Sequence, residues 1–200
     1  MSLLTPWGYA LTAEQLPGIL TEAEFSEITG GKFGNDSRIA ESIKAATAAI
    51  RNYCGWHLYP SMACEICADS VNTGRVVQLP SRHVTSVEAV TIAGRTLEPS
   101  EYVLKPTGLL ILKKRCMVWD WGDITVHYTA GLPDGMADAI KDMVADRAAH
   151  ALSGSYGVQS EAAGGLSVTY NAAWIKEARA TALPETYRDT LDPYRVQGVY

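Results

Sequence analysis

Little in this sequence announces a chemistry. Its 200 residues hold only two phenylalanines and four cysteines. No apolar run approaches the roughly 18 residues that cross a bilayer as a helix. GxSxG, HExxH and the Walker phosphate loop are missing, which removes the usual marks of a hydrolase elbow, a zinc protease and a nucleotide site. The string GGKFG at 30–34 lacks both the upstream glycine and a Ser or Thr after the lysine, and is read as a link. His57, His83, His127 and His150 stand at no spacing that a catalytic triad fixes, although a triad scattered along a chain leaves no such mark. Basic residues are too few for a protein whose task is gripping nucleic acid: 17 against 22 acidic, with a net charge of −5. The opening MSLLTPWGYALTAEQLPG has neither the basic start nor the continuous apolar core of a secretory signal. Cytoplasmic folding and reduced thiols are therefore expected.

What is present is an ordinary globular composition, 47% apolar and 20% charged, enough for one domain with extended arms. The stretch Asp36–Pro60, DSRIAESIKAATAAIRNYCGWHLYP, organises the rest. Ile39, Ile43, Ala46, Ile50, Tyr53 and Cys54 recur at three and four and share one helical face, while Arg38, Glu41, Lys44, Arg51 and Asn52 fall mostly on the other. Asp36 is expected to cap this helix, Gly55 to end it in the left-handed region, and Pro60 to stop it restarting. The expected length is about 28 Å, at 1.5 Å per residue.

Before this helix, Thr21 and Glu24 form a capping box for a short helix. Residues 1–20 carry Trp7, Tyr9, Leu11, Leu16 and Leu20 between Pro6, Gly8, Pro17 and Gly18, and read as an arm. Its aromatics either cover the chain's own core or dock on a neighbouring subunit. After the helix the period drops to two. Met62–Asp69, Arg75–Leu79, Val84–Ile92, Tyr102–Leu104, Leu109–Leu112, Cys116–Trp119 and Ile124–Thr129 read as short strands with turn formers between them. Strands so spaced, with no intervening helices, indicate an antiparallel sheet or small sandwich. A second helix follows over Gly135–Leu152, its apolar face Met136, Ala137, Ile140, Met143, Val144, Ala148, Ala151 and Leu152. The polar loop at 154–165, a strand at 166–170, a weak helix at 173–182, a short helix at 184–194 and a mobile tail complete the chain. The fold class is α+β: two packed amphipathic helices with an inserted β segment and two arms. The organisation is an arm with a short helix at 1–35, a core at 36–153 and an extended C-terminal part at 154–200.

One pattern suggests a metal. Cys54-x-x-His57 and Cys64-x-x-Cys67 would offer two ligand pairs for zinc, or a redox pair. The six residues between the pairs are few for a zinc finger, and ACEICAD alternates like a strand, which turns residues 64 and 67 to opposite faces. No metal, cofactor or catalytic residue is expected. Trp119-Asp120-Trp121 reads as a core lid or an aromatic patch, and Lys113-Lys114-Arg115, the basic run, as a solvated strand end or a contact to DNA phosphates.

The order of elements resembles the head-to-tail connector (adaptor) proteins of long-tailed bacteriophages and gene transfer agents. The segments that carry the resemblance are AAIRNYCGWHLYP, LPSRHVTSVEAVTIAGRTLEPSEYVL, DITVHYTAGLP, MADAIKDMVADRAAHAL and GVQSEAAGGLSVTY, in that order across residues 36–170. The resemblance implies a structural virion protein with no enzymatic activity. It implies a homo-oligomeric ring, typically about twelve copies, assembled in the host cytoplasm beneath the portal protein. Such a ring extends the DNA channel without sequence-specific binding, meets a downstream neck or tail protein, and involves no membrane. Tyr187, Tyr194, Arg195 and Tyr200 are the expected portal contacts. Arg38, Glu41, Lys44, Arg51, Tyr156, Val158 and Glu161 are the expected subunit interface. The zinc or redox protein, a scattered-triad hydrolase and another neck or tail part (a stopper or tail terminator) are the alternatives. If the C-terminal segment orders only on the portal, deleting residues 190–200 abolishes portal binding and leaves the melting temperature unchanged.

Overall fold

A computed structural model of the chain describes residues 2–68, 75–114, 124–153, 160–163, 166–169 and 183–196. They form two compact units. A strand unit combines Met1–Pro17, Gly55–Asp134 and Tyr194–Tyr200, and interrupts in sequence a helical unit of Gly18–Cys54 and Gly135–Pro193. The class is α+β, as the alternation of sequence periods implied.

In the strand unit, β1 (Leu3–Leu4), β2 (Ala10–Leu11), β3 (Met62–Ala68), β9 (Ile124–Ala130), β5 (Val84–Ile92) and β6 (Arg95–Thr96) form a six-stranded antiparallel sheet in that spatial order. β4 (Val76–Gln78), β8 (Leu109–Leu112) and β7 (Tyr102–Lys105) form a three-stranded one. Period-two patterning positions them. On β9 the side chains of Ile124, Val126, Tyr128 and Ala130 are buried while His127 is exposed, so one face of the central strand supplies the core. β5 needs register shifts at 84–86 and 87–89 to follow β9. The strand expected at Cys116–Trp119, Trp119-Asp120-Trp121 and Arg115 lie outside the described residues.

The N-terminal arm is more regular than its Pro and Gly content implies. β1 and β2 are two residues each, and β2 pairs with β3 through Ala10↔Glu65 and Leu11↔Cys64. Pairs this short leave no periodic mark; only the partner strand specifies them. Of the two expected destinations for its aromatics, Tyr9 takes the chain's own core, at 1% exposure. Its hydroxyl donates to His57 Nδ1 at 2.7 Å and accepts the His57 main-chain N–H at 3.0 Å. His57 Nε2 then carries the proton and donates to the Ala130 carbonyl at 2.9 Å. Arm, corner and central strand thus meet at one buried imidazole. Gly131 closes the end of β9 at φ 139°, where an added Cβ would lie 2.3 Å from Ser61 Cα.

In the helical unit, α1 (Glu22–Ile28) is held by the expected capping box at Thr21 and Glu24. α2 runs Ile39–Cys54, 16 residues, about 24 Å at 1.5 Å per residue. It starts three residues later than expected. Asp36 does accept a free main-chain N–H, that of Arg38 at 2.9 Å, together with the Arg38 guanidinium at 2.6 Å, in the turn that precedes the first helical residue. Gly55 ends the helix at φ 76°, as expected. α3 runs Asp134–Leu152 with Ala137, Ile140, Val144, Ala145, Ala148 and Leu152 buried. Met136 is 46% exposed, outside the apolar face expected for it. Its position lies about 100° from that face's centre at 3.6 residues per turn. β10 (Ser160–Ala163) and β11 (Leu166–Thr169) pair as an antiparallel hairpin inside the segment read as a loop and a strand. α4 (Glu185–Leu191), followed by a tight turn at Asp192–Tyr194, is the short C-terminal helix. The helix expected at 173–182 lies outside the described residues.

Tyr9→Phe leaves two buried nitrogens of His57 without their partner. We expect a loss of about 2 kcal/mol in unfolding free energy, read by urea denaturation, whereas Trp7→Phe at the half-buried neighbouring ring costs less.

Candidate interaction surfaces

The alternative metal set fails on the chemistry of its members. Both ring nitrogens of His57 are engaged. Burial pushes the Cys64 thiol up to about 12, so it stays protonated and cannot act as a ligand without a large cost. Cys67, three positions on along β3, is exposed with Sγ 3.9 Å from Thr125 Oγ1. Cys54 is buried in the helical unit, its Sγ 4.0 Å from the Leu191 carbonyl. Among the described residues, no three His, Cys, Asp or Glu side chains are placed to share a metal ion. The other histidines take structural places: His83 Nδ1 lies 2.9 Å from the Gly131 carbonyl, His127 beside Glu65 at 3.8 Å, and His150 beside Asp146 at 3.5 Å.

The polar residues of α2 divide. Arg38 is exposed and paired with Asp36, and its guanidinium also donates to the Leu152 carbonyl at 3.4 Å, which ties the start of α2 to the end of α3. Glu41 and Lys44 are each 79% exposed, in a loose pair at 4.0 Å. Arg51 does not belong with them, being only 4% exposed. Residues 47 and 51 flank the line of 43, 46, 50 and 54, so the buried face is wider than a strict apolar count suggests. The middle of the outer face is Ala45, Ala48 and Asn52.

The C-terminal segment is already docked. Tyr187 is buried, and its hydroxyl donates to Asp146 Oδ2; burial first, and then this carboxylate, hold its phenol above the usual range. Within the helical unit Leu191 is fully buried and the Tyr53 hydroxyl donates to Asp192 at 2.5 Å. Within the strand unit the Trp56 indole N–H donates to the Tyr194 carbonyl at 2.7 Å. Arg195 is exposed. Tyr156, Val158 and Tyr200 lie outside the described residues, and Glu161 stands on β10, paired in register with Val168. Deleting 190–200 would remove core contacts, so the expected unchanged melting temperature does not hold for that truncation.

Two surfaces of the helical unit carry unpaired charge. A groove of about 590 Å³ is floored by Ala45, Ala48 and Ala49 of α2 and walled by Tyr53, Leu183, Arg147 and Arg188. The Arg188 Nε donates to the Leu183 carbonyl at 2.8 Å. Among the described residues, no carboxylate stands within salt-bridge distance of Arg147 or Arg188, and no cation within that distance of Glu22 or Glu27 on α1. The sequence signal that could have found the groove was the Ala45/Ala48/Ala49 spacing opposite the buried face. On its inner side α1 is tied down by Glu24, whose carboxylate takes the Lys141 ammonium at 2.6 Å and the Thr21 N–H at 2.8 Å.

The profile of the head completion protein family matches residues 18–197. The chain belongs to that family. It is a structural head-to-tail adaptor, the class its element order resembled. No curated protein sequence matches it. Among solved structures, this head completion protein is similar to a chain of the "Neck of empty GTA particle computed with C6 symmetry", with 19% identity, a TM-score of 0.57 and coverage of 96% and 97% of the two chains. It is also similar to one of the "Virion of native gene transfer agent (GTA) particle", with 18% identity, a TM-score of 0.53 and the same coverage. A third likeness is to the "Neck of native GTA particle computed with C12 symmetry", with 18% identity, a TM-score of 0.50 and coverage of 93% and 97%. At these identities the likeness is one of fold. None of these findings favours the zinc or redox reading.

The Lys141 ammonium, and then the Thr21 N–H, hold the Glu24 carboxyl at about 2, against an ordinary value of 4.5. A carboxylate whose folded value is lowered stabilises the fold above its unfolded value and loses that contribution as pH falls. Melting temperature should therefore fall between pH 4.5 and 2 more steeply in the parent than in Glu24→Gln, and Lys141→Ala at pH 7 should cost about 1 kcal/mol.

Proposed function

We propose that this head completion protein assembles as a ring of identical subunits in the neck of a virion, beneath the portal protein. There it extends the DNA channel and presents its far side to the next neck or tail component. The observation that carries the reading is the family match over residues 18–197, supported by the whole-chain likeness to neck chains whose particles were computed with C12 and C6 symmetry. Twelve copies are in keeping with the first of these. The reading contains no reaction: the ring acts by shape and charge.

Two physical features suit the task. A cyclic ring needs two different and mutually complementary side faces on each subunit, and the helical unit carries Glu22 and Glu27 on α1 and Arg147 and Arg188 at the rim of its groove. A chain of net charge −5 repeated around a channel repels DNA within a Debye length, so the duplex passes without sticking. In the subunit interface we place the exposed Arg38, Glu41 and Lys44 together with the 154–170 segment that holds Tyr156, Val158 and Glu161. We place portal contact at the C-terminal end, at Arg195 and Tyr200, which follow Tyr187 and Tyr194 in sequence.

Arg195→Glu should lower affinity for purified portal at least tenfold in a pull-down titration. Electron microscopy of parent protein mixed with portal should show a collar on the portal axis. A chain that stays monomeric and has no affinity for portal overturns the proposal.

A further inference from the structure

α1 and α4 lie on opposite flanks of α3. Lys141 reaches α1 through Glu24, and Asp146 reaches α4 through Tyr187. Positions 141 and 146 are about 140° apart around a helix of 3.6 residues per turn. The groove, with Leu183 and Arg188 from the α4 side and Arg147 from α3, opens on the second flank. The first flank carries the outer side of α1, where exposed Ala23 and Ser26 lie between exposed Glu22 and Glu27. One flank is an apolar groove edged by two guanidiniums, and the other is a helix face of two small side chains edged by two carboxylates. None of these four charges has an opposite partner within salt-bridge distance among the described residues.

We infer that the outer side of α1 of one subunit docks in the α2–α4 groove of the next copy, with Glu22 and Glu27 facing Arg147 and Arg188 and the small side chains of Ala23 and Ser26 lying over the alanine floor. The chemistry selects this occupant. The exposed alanines let a second helix approach closely, and guanidiniums at the rim prefer a carboxylate-bearing helix. The two surfaces sit on opposite flanks, so the contact is head-to-tail, the kind that closes a ring instead of a two-fold dimer. The inference rests on the ring reading above, and it supplies that ring with a specific pair of faces.

The test uses the full chain, with Cys67 and Cys116 replaced by serine, in the presence of portal protein. Glu27→Cys and Arg188→Cys variants are oxidised separately, mixed, and then combined in one chain. Docking predicts a linked species in the mixture that neither variant gives alone, and a ladder of linked oligomers from the combined chain. Glu27→Lys should lower the yield of a second pair, Glu22→Cys with Ala48→Cys, at least fivefold, and adding Arg188→Glu should restore it. Linking by either variant alone, or rings in the microscope with neither pair linked, overturns the docking and leaves the ring reading standing. A ladder that never closes keeps the docking and overturns the ring. Neither links nor rings overturns both.

Discussion

His57 has two ring nitrogens and one main-chain N–H to satisfy inside the strand unit, and Tyr9 and Ala130 satisfy all three. The arrangement allows one tautomer: Nδ1 accepts from the Tyr9 hydroxyl and Nε2–H donates to Ala130. Each partner belongs to a different piece of chain. Tyr9 comes from the arm, His57 from the corner after α2, and Ala130 from the end of the central strand. A buried polar group left unmade costs more than it contributes when made, so the three pieces register together or not at all. The Thr5 N–H and hydroxyl extend the same logic by both donating to the Tyr9 carbonyl, at 2.8 and 2.7 Å. Two-residue strands far too short to persist alone hold their place on β3 for this reason.

The helices were legible because their period and their ends are written locally. Thr21 and Glu24, and Gly55 after Cys54, are signals whose physics lies within one turn of the chain. The strands between Met62 and Ala130 were legible by alternation. What was not legible depended on a distant partner. The arm reads as irregular because its regularity exists only against β3. Arg51 reads as polar and outward because sequence gives a residue's charge, not the breadth of the helix face its neighbours bury. Asp36 reads as a cap because its proximity to the helix start is visible, whereas its added hold on the Arg38 guanidinium, two residues on, is a competition between local partners.

The same distinction governs the candidate surfaces. Tyr187 and Tyr194 drew notice as aromatic residues near a chain end, where docking segments are common. The structure gives them intramolecular work. Tyr187 is buried beside Asp146, and Tyr194 offers its carbonyl to Trp56. Aromatic residues near a terminus are anchors as often as they are probes, and only burial separates the two. The groove shows the reverse case. Three alanines and an asparagine on an outer helical face carry no chemical emphasis in a sequence. They gain meaning only when Leu183, more than a hundred residues later, supplies a wall.

For a protein that works by assembly, uncompensated charge is more informative than any single reactive group. Inside the helical unit one charge pair joins two helices, Glu24 with Lys141. Pairs of this kind fix where helices sit, and they contribute little to recognition because each is already satisfied. Among the charges without a salt-bridge partner in the described residues, Glu22 and Glu27 stand on one flank and Arg147 and Arg188 on the other. Exposed charges cost little in water, and pairing them across an interface gives partner choice and register more than affinity. In the docking inferred above, these charges select a second copy, and the alanine groove supplies contact area once they have aligned it. In the ring proposed above that division has a use: the charges choose the neighbour, and the buried area holds it only when the geometry closes.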